Sequence, residues 1–421
     1  MPTSVIPYIP ETIVVHLGAP TQSAANVTVP FTDYIKNVVS SEIYPTWEPA
    51  ALEANTLAII SFALNRFYTE YYRSRGYDFD ITSSTAIDQK YIEGRNIYEN
   101  ISVLVDEIFD RYLRREGFVE PLAAKFCNGV TTTCDGLSQW GSQYLAEGGA
   151  DAFSILRSYY GNVELVTNAP VQEPSPSYPG TPLRRGDTNA DVALIQFILN
   201  RISQNYPAIP KLTVDGVFGA DTEASVRAFQ SIFDLTADGI VGPATWYKML
   251  LLYVAVQRLS ELQSLGQTYT RYNWELPEPL SIGSTGSRVT FLQYVLSVLA
   301  QFIPSIPEAN ITGTYSENTE EAVRAFQSYA GLPATGTIDD ATWNALYAQY
   351  SAIRSEVLSS GELFPITELD VPEAVPVFAN AQAPAPSIFP QPPTGDAAQR
   401  YTDTSRFLQY PAGGFAVGQQ D

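Results

Sequence analysis

Phe31, Ile35 and Val38 recur at spacings of four and three along VPFTDYIKNVVSSEIYPTWEP, residues 29–49, the rhythm of an amphipathic helix with one face turned to a core. The next position on that stripe is Glu42, a carboxylate where an apolar side chain is expected. Pro45 closes the helix, because Tyr44 before it is driven out of the helical region. Upstream, ETIVVHLG alternates as a strand does, with Ile13, Val15 and Leu17 on one face and His16 on the other, which predicts a surface or edge position for the single histidine. Downstream, EPAALEANTLAIISFALNRFYTEYYRSRG predicts one long helix, from Pro49 in its first turn to Gly76 at its end. NISVLVDEIFDRYLRREG predicts another, running to Gly117.

From residue 183 the pattern repeats. LRRGDTNADVALIQFILNRISQNYPAIP, from Leu183, returns as LSIGSTGSRVTFLQYVLSVLAQFIPSIP, from Leu280, at an offset of 97 that holds without a gap. Gln196 falls on Gln293, Pro207 on Pro304 and Trp246 on Trp343. Each copy has three helical periods separated by glycine turns, DGVFG and ADGIVG in the first, so each predicts a small all-α three-helix module. The organisation read from the chain is an α+β domain over 1–166, a Pro-rich linker over 167–182 and a first module over 183–252. A helix and linker over 253–279, a degenerate second module over 280–350 and a Pro/Ala-rich tail over 365–421 follow. Phe378, Phe389, Phe407 and Tyr410 in that tail are candidate docking residues for protein partners.

Composition narrows the partners. The 421 residues fit about three domains, and hydrophobic residues at 45% are ample for packed cores. A net charge of −21 argues against nucleic acid and anionic membrane surfaces. The longest apolar run of note, LAIISFAL from Leu57, falls short of a membrane span. The opening MPTSVIPYIPETIVVHLG lacks the basic start of a secretory signal and is broken by prolines. Cys127 and Cys134 are compatible with a small disulfide loop or with two idle thiols. Zinc is disfavoured, since it takes about four N or S ligands and His16 is distant in sequence. No metal and no cofactor are expected.

LRRGD…VALIQFILN, VDGVFGADTEASVRAFQ and LTADGIVGPATWYKML, in that order, resemble the peptidoglycan-binding module of the first type, a three-helix domain appended to many cell-wall hydrolases. The resemblance implies a wall-binding groove near the glycine turns, which makes Asp215, Gly216, Phe218, Gly219, Asp238 and Gly239 candidate glycan-binding residues, with Gly242 beside them. The second copy departs from the pattern: Thr312 and Ser316 replace Asp215 and Gly219, and Asp339-Asp340 replaces Gly242-Pro243. It is therefore expected to serve as a structural partner of the first copy.

Residues 11–161 resemble the catalytic domain of stage II sporulation protein D, shared with amidase-enhancer proteins and clostridial spore cortex-lytic enzymes. VPFTDYIKNVVSSEIYPTW carries the pattern Val29, Pro30, Tyr34, Val38 and the catalytic Glu42, and CDGLSQWGSQYLAEGG carries Ser138, Gln139, Trp140 and Gly141. The family's AQAVAARTY stretch is represented by ANTLAIISF, with Ser61 in place of the Arg and Asn55 in place of the Gln. Tyr34, Ser138, Gln139 and Tyr144 are the corresponding candidate substrate-binding residues.

Burial of Glu42 among Ile35, Val38 and Ile43 would disfavour its ionised form and keep a proton available near neutral pH, as a general acid for glycosidic cleavage requires. Hydrolysis needs a second carboxylate, with Glu48, Glu53, Asp80 and Asp135 as candidates. The activity implied by the resemblance, lytic transglycosylation, needs only one, because the muramic acid's own C6 hydroxyl is the nucleophile. The expectation is thus a peptidoglycan-binding lytic transglycosylase that cleaves MurNAc-GlcNAc glycan strands. It is expected to be made in the cytoplasm without a signal peptide and to act at the spore cortex or coat. The alternatives are a non-catalytic wall-binding or structural protein of a spore or phage-like assembly, and an amidase activator.

Overall fold

The computed structural model describes residues 7–257, 259, 268–269, 274, 276–359 and 407–408. The N-terminal domain is α+β. Its three-stranded sheet has Thr12–His16 at the centre, antiparallel to Asn26–Pro30 and parallel to Ile81–Thr82. Five helices pack around it: α1 (Phe31–Glu42), α2 (Pro49–Tyr68), α3 (Glu99–Ile108), α4 (Gln139–Glu147) and α5 (Ala152–Tyr160). The spine is α2, with buried residues on every side from Ala51 to Arg66, as befits a helix that is apolar all round. It contacts α1, α3, α4, α5 and the strand Tyr112–Arg115.

Three local expectations are corrected. The long helix ends at Tyr68 rather than Gly76, because Glu70 takes left-handed backbone (φ 45°) and only a short 3-10 turn, Arg73–Arg75, follows before Gly76. The next helix stops at Ile108, and Tyr112–Arg115 is a strand paired antiparallel with Val163–Val166. Its buried Tyr112 and Leu113 and the bond from Leu113 N–H to Ser61 Oγ (2.8 Å) outweigh local helix propensity. His16 is buried at 5% exposure. Its strand is central, and the face opposite the main core is covered by Tyr71, Tyr72 and Phe79, with the imidazole stacked on Phe79 at 4.6 Å.

The 97-residue repeat is preserved in space. The first module comprises α6 (Ala190–Ser203), α7 (Ala220–Ile232) and α8 (Pro243–Gln257), and the second α9 (Ser287–Phe302), α10 (Glu317–Tyr329) and α11 (Asp340–Ser359). The bridge Leu183↔Val241 recurs as Leu280↔Ile338, and Thr188↔Val217 as Thr285↔Thr314. The first module has its own core around Val192, Phe218, Phe229 and Trp246. The second does not pair with the first as expected; its core is continuous with that of the N-terminal domain. Phe291, Tyr294, Val298 and Phe302 make α9 apolar on both sides, so the helix is buried between its own module and that domain.

The 167–182 segment is extended but not free. Val171–Gln172 pairs with Ile9–Pro10, and Ser177 bonds Glu70 on one side and Trp246 Nε1 (2.8 Å) on the other. In the tail, Phe407–Leu408 pairs antiparallel with Ile97–Tyr98; Phe378, Phe389 and Tyr410 lie outside the described residues. No helix among the described residues is long and apolar enough to cross a membrane.

Candidate active site

Glu42 is the last residue of α1, where the chain turns extended at Ile43 (φ −132°, ψ 157°). Ile35, Val38 and Ile43 are fully buried, but Glu42 at the helix end is only half-buried, which corrects the expectation of a carboxylate enclosed by its stripe. Both oxygens are held. Oε1 accepts the Lys90 backbone N–H at 2.8 Å, and Oε2 accepts Gln139 Nε2 at 3.2 Å. A carboxyl oxygen accepts along two directions, so a proton can reside on this group without displacing either donor.

The Lys90 donor is placed by a buried framework. Arg66 Nε bonds Asp88 Oδ1 at 2.9 Å with both side chains inaccessible, and the guanidinium lies over the Tyr71 ring at 3.8 Å. The other Asp88 oxygen accepts from the Tyr72 hydroxyl, from Thr82 N–H (3.0 Å) and from Thr82 Oγ1 (2.7 Å). Next in sequence, Gln89 accepts the Tyr34 hydroxyl (2.9 Å) and donates to Ile59 C=O (3.0 Å). Two residues beyond Lys90, the Asn37 amide brackets Ile92, donating to its C=O at 2.6 Å and accepting its N–H at 3.0 Å. Tyr34 therefore supports the site from beneath and does not face a ligand. It is fully buried, and burial, then the Asp88 and Glu42 carboxylates, hold its phenol well above the usual range.

Gln139, the other donor, opens α4. Ser138 caps that helix by accepting Gly141 N–H at 3.0 Å, so its hydroxyl is committed locally. Asn55 Nδ2 donates to Ser142 Oγ (2.7 Å) and fastens α4 to α2, while Gln143 accepts Glu48 N–H (2.9 Å). Asn55 and Ser61, the two departures from the family stretch, are thus both structural residues. Cys127 and Cys134 form a disulfide. Within its loop Asn128 Oδ1 accepts the N–H groups of Val130, Thr131 and Thr132. Gly129 (φ 82°) lies so close to Ser138 that a Cβ there would meet Oγ at 1.8 Å, so only glycine fits. Tyr144, one turn along α4, is half exposed.

The glycine turns of the modules share one construction. Gln196 accepts Asp215 N–H and Gly216 N–H and donates to the Asp215 carboxylate; Gln230 likewise accepts Gly239 N–H and donates to Asp238. The backbone N–H of Val217 holds the Asp215 carboxyl below its usual range, and that of Ile240 does the same for Asp238. Gly216 and Gly239 occupy left-handed backbone at φ 73° and 70°, and Gly219 opens α7. Phe218 is 1% exposed and belongs to the core, so it offers no face to a ligand. Val217 (44%) and Ile240 (37%), each directly after its Asp-Gly pair, are exposed apolar side chains at these turns, as is Val214 (38%) before the first pair. Sequence reasoning passed over them, although an aliphatic residue directly after each Asp-Gly pair was the available signal. In the second module the same places hold Thr314 and Thr337.

Among the described residues no three His, Cys, Asp or Glu side chains assemble as a metal site. Asp80, one of the carboxylates open to a second catalytic role, is buried and bound to Arg73 (2.7 Å) and Val14 N–H (2.9 Å).

A domain that presents one doubly held carboxylate is thus joined to two copies of a turn-bearing helical module. Residues 188–249 and 285–346 each match the peptidoglycan binding domain, and residues 21–108 match the Stage II sporulation protein family. The chain therefore carries a stage II sporulation protein domain and two modules of the peptidoglycan-binding type. It is 31% identical over 161 residues to the N-acetylmuramoyl-L-alanine amidase CwlL of Bacillus licheniformis, a stretch covering 37% of this chain and 42% of that protein. Over 42 residues it is 52% identical to the zinc D-Ala-D-Ala carboxypeptidase of Streptomyces albus G, covering 10% of this chain and 16% of that one. The chain thus spans well under half the length of either relative. The sporulation-family match includes Glu42 and Lys90 and ends before Gln139.

Proposed function

We propose that the N-terminal domain is a lytic transglycosylase that cleaves the MurNAc-GlcNAc bond of peptidoglycan strands while the first module holds the chain on the wall. The observation that carries this reading is the Glu42 carboxylate, partly buried and fixed by Lys90 N–H and Gln139 Nε2. In the first half of the reaction Glu42 gives its proton to the leaving GlcNAc O4 as the bond to MurNAc C1 breaks. In the second, the resulting carboxylate takes the proton of the MurNAc C6 hydroxyl as that oxygen closes on C1, leaving a 1,6-anhydro end and a regenerated acid. No water is consumed, so no second carboxylate is required. The stretch shared with the amidase is about as long as the two modules with their connector, so what we transfer from that relative is wall binding and not amide cleavage. The sporulation-family domain supports a site of action in the spore wall.

Digestion of purified spore cortex and vegetative peptidoglycan tests this reading. Wild-type protein releases anhydro-muropeptides, detected by mass spectrometry, and Glu42→Gln releases none. If neither protein releases product while both pellet with the wall, the domain is a non-catalytic binding or structural element.

A further inference from the structure

The docked second module leaves a cleft against α4. Its volume is about 100 Å³. The first turns of α4 form the floor, the disulfide loop at Gly129 and Val130 one wall, and Glu308–Ile311 of the second module the other. It begins at Ser138, the neighbour of the Gln139 that holds Glu42. The opposing surfaces are fixed by packing: the Trp140 and Tyr294 rings meet edge to face at 5.9 Å.

Two polar groups in this cleft have no partner among the described residues, the Asn310 side-chain amide and the Tyr144 hydroxyl. Tyr144 is 50% exposed and Asn310 partly buried. An unpaired amide pointing to no protein group pairs well with another amide, since each offers a donor and an acceptor. A half-exposed phenol ring is a stacking platform with a polar edge. At the far end Glu147 and Glu308 share the cleft and add negative charge, which opposes a carboxylate ligand. The space is too small for a disaccharide and large enough for the acetamido branch of one sugar.

We propose that this cleft is an acetamido-sugar subsite of the N-terminal domain, completed by the second module, in which Tyr144 stacks on the sugar and Asn310 bonds its acetamido group. The charge favours the neutral N-acetylglucosamine over a muramyl residue freed of its stem peptide, whose lactyl carboxylate is then ionised. The assignment rests on the peptidoglycan reading of Glu42 for its location on the strand, but binding is measured apart from cleavage.

The test is titration of the full chain, as Glu42→Gln, with tetra-N-acetylchitotetraose and with cellotetraose, an equally neutral tetramer that lacks the acetamido groups. The acetylated tetramer binds more tightly. Asn310→Ala weakens it about fivefold, the worth of one neutral hydrogen bond, and Tyr144→Ala by a comparable factor. Both losses persist when Val217 and Ile240 of the first module are changed to Ser, which separates this site from any glycan contact at those turns. Unchanged affinity in both variants, or equal binding of cellotetraose, overturns the proposal. If the Asn310 dependence holds while wild-type protein releases no anhydro product, the subsite stands and the transglycosylase reading falls.

Discussion

Asp88→Asn is the sharpest perturbation of the framework behind Glu42. The substitution removes the carboxylate beside Arg66, whose side chain is 1% exposed, and leaves the guanidinium buried. Breaking a buried pair from one side costs about 3–5 kcal/mol. The Tyr71 and Phe62 rings against the guanidinium, at 3.8 and 4.6 Å, offset part of that, so we expect a loss of about 3 kcal/mol in urea unfolding. The same change loosens the 88–92 segment and with it the Lys90 N–H on Glu42. A hydrogen bond to a charged group is worth about 1.5–3 kcal/mol, so anhydro-muropeptide release should fall about ten- to a hundredfold, in kcat rather than KM. The double variant Arg66→Met, Asp88→Leu separates the two effects. Removing both charges should recover the part of the stability lost with the uncompensated guanidinium but restore neither full stability nor the rate, because the buried Thr82 and Tyr72 donors still lose their acceptor. A single variant with wild-type unfolding and wild-type release, or a double variant that regains the rate, would refute the positioning argument.

Burial, reinforced by the hydrogen bond and the charge of Glu308, raises the Glu147 carboxyl from 4.5 to about 7. Between those values the folded protein holds a proton that the unfolded chain has released, so stability falls as pH rises through that window and is lowest above it. Glu147→Gln should flatten this fall and raise the thermal midpoint relative to wild type at pH 8 but not at pH 4. Cys127→Ser with Cys134→Ser should cost about 2–3 kcal/mol on the chain-entropy account of a short loop, seen as a lower melting temperature that reductant no longer shifts. Val217→Ser and Ile240→Ser should each weaken wall pelleting about fivefold, since each loses about 1 kcal/mol of apolar burial, whereas Thr314→Ser and Thr337→Ser should leave it unchanged.

The repeat was legible because each such turn leaves a fixed mark: a Gln on the first helix, then Asp-Gly or Thr-Gly 19 residues on, whose first N–H donates to the Gln side chain, Asp215 to Gln196 and Thr312 to Gln293. Glu42 was legible as an exception to its helical stripe, yet its surroundings were not. Lys90 contributes a backbone N–H, for which no side-chain type is selected, and the residues that place it, Arg66, Tyr72 and Asp88, read locally as ordinary surface polars. Glu70 shows the same limit: its left-handed φ of 45° stops the long helix, and no glycine or proline announces it. His16 was placed at an edge because alternation reports one buried face and cannot report a second, supplied here by Tyr71, Tyr72 and Phe79.

The divergence of the second module follows from where it sits. At the places of Arg201 in α6 and of Asn205 just beyond its end it has Val298 and Phe302 in α9, both buried in the core continuous with the N-terminal domain. Those exchanges turn a helix with one wet face into one that must be enclosed. The turns changed in the same direction. Asp215 and Asp238 accept the N–H two residues on at 2.9 Å, and Thr312 and Thr335 do so at 3.2 Å with a neutral hydroxyl, a weaker bond that still closes the turn. Loss of both aspartates and both aliphatic tips removes the features that distinguish the first module's exposed turns, while the backbone that shapes the 308–311 wall is kept. A copy that had to bind glycan alone would have no use for an apolar α9, and one that only filled space would have no use for an Asn310 side-chain amide that lines the cleft without a partner among the described residues. The two sets of changes together fit a module that has exchanged independent wall binding for a share in the site beside Glu42.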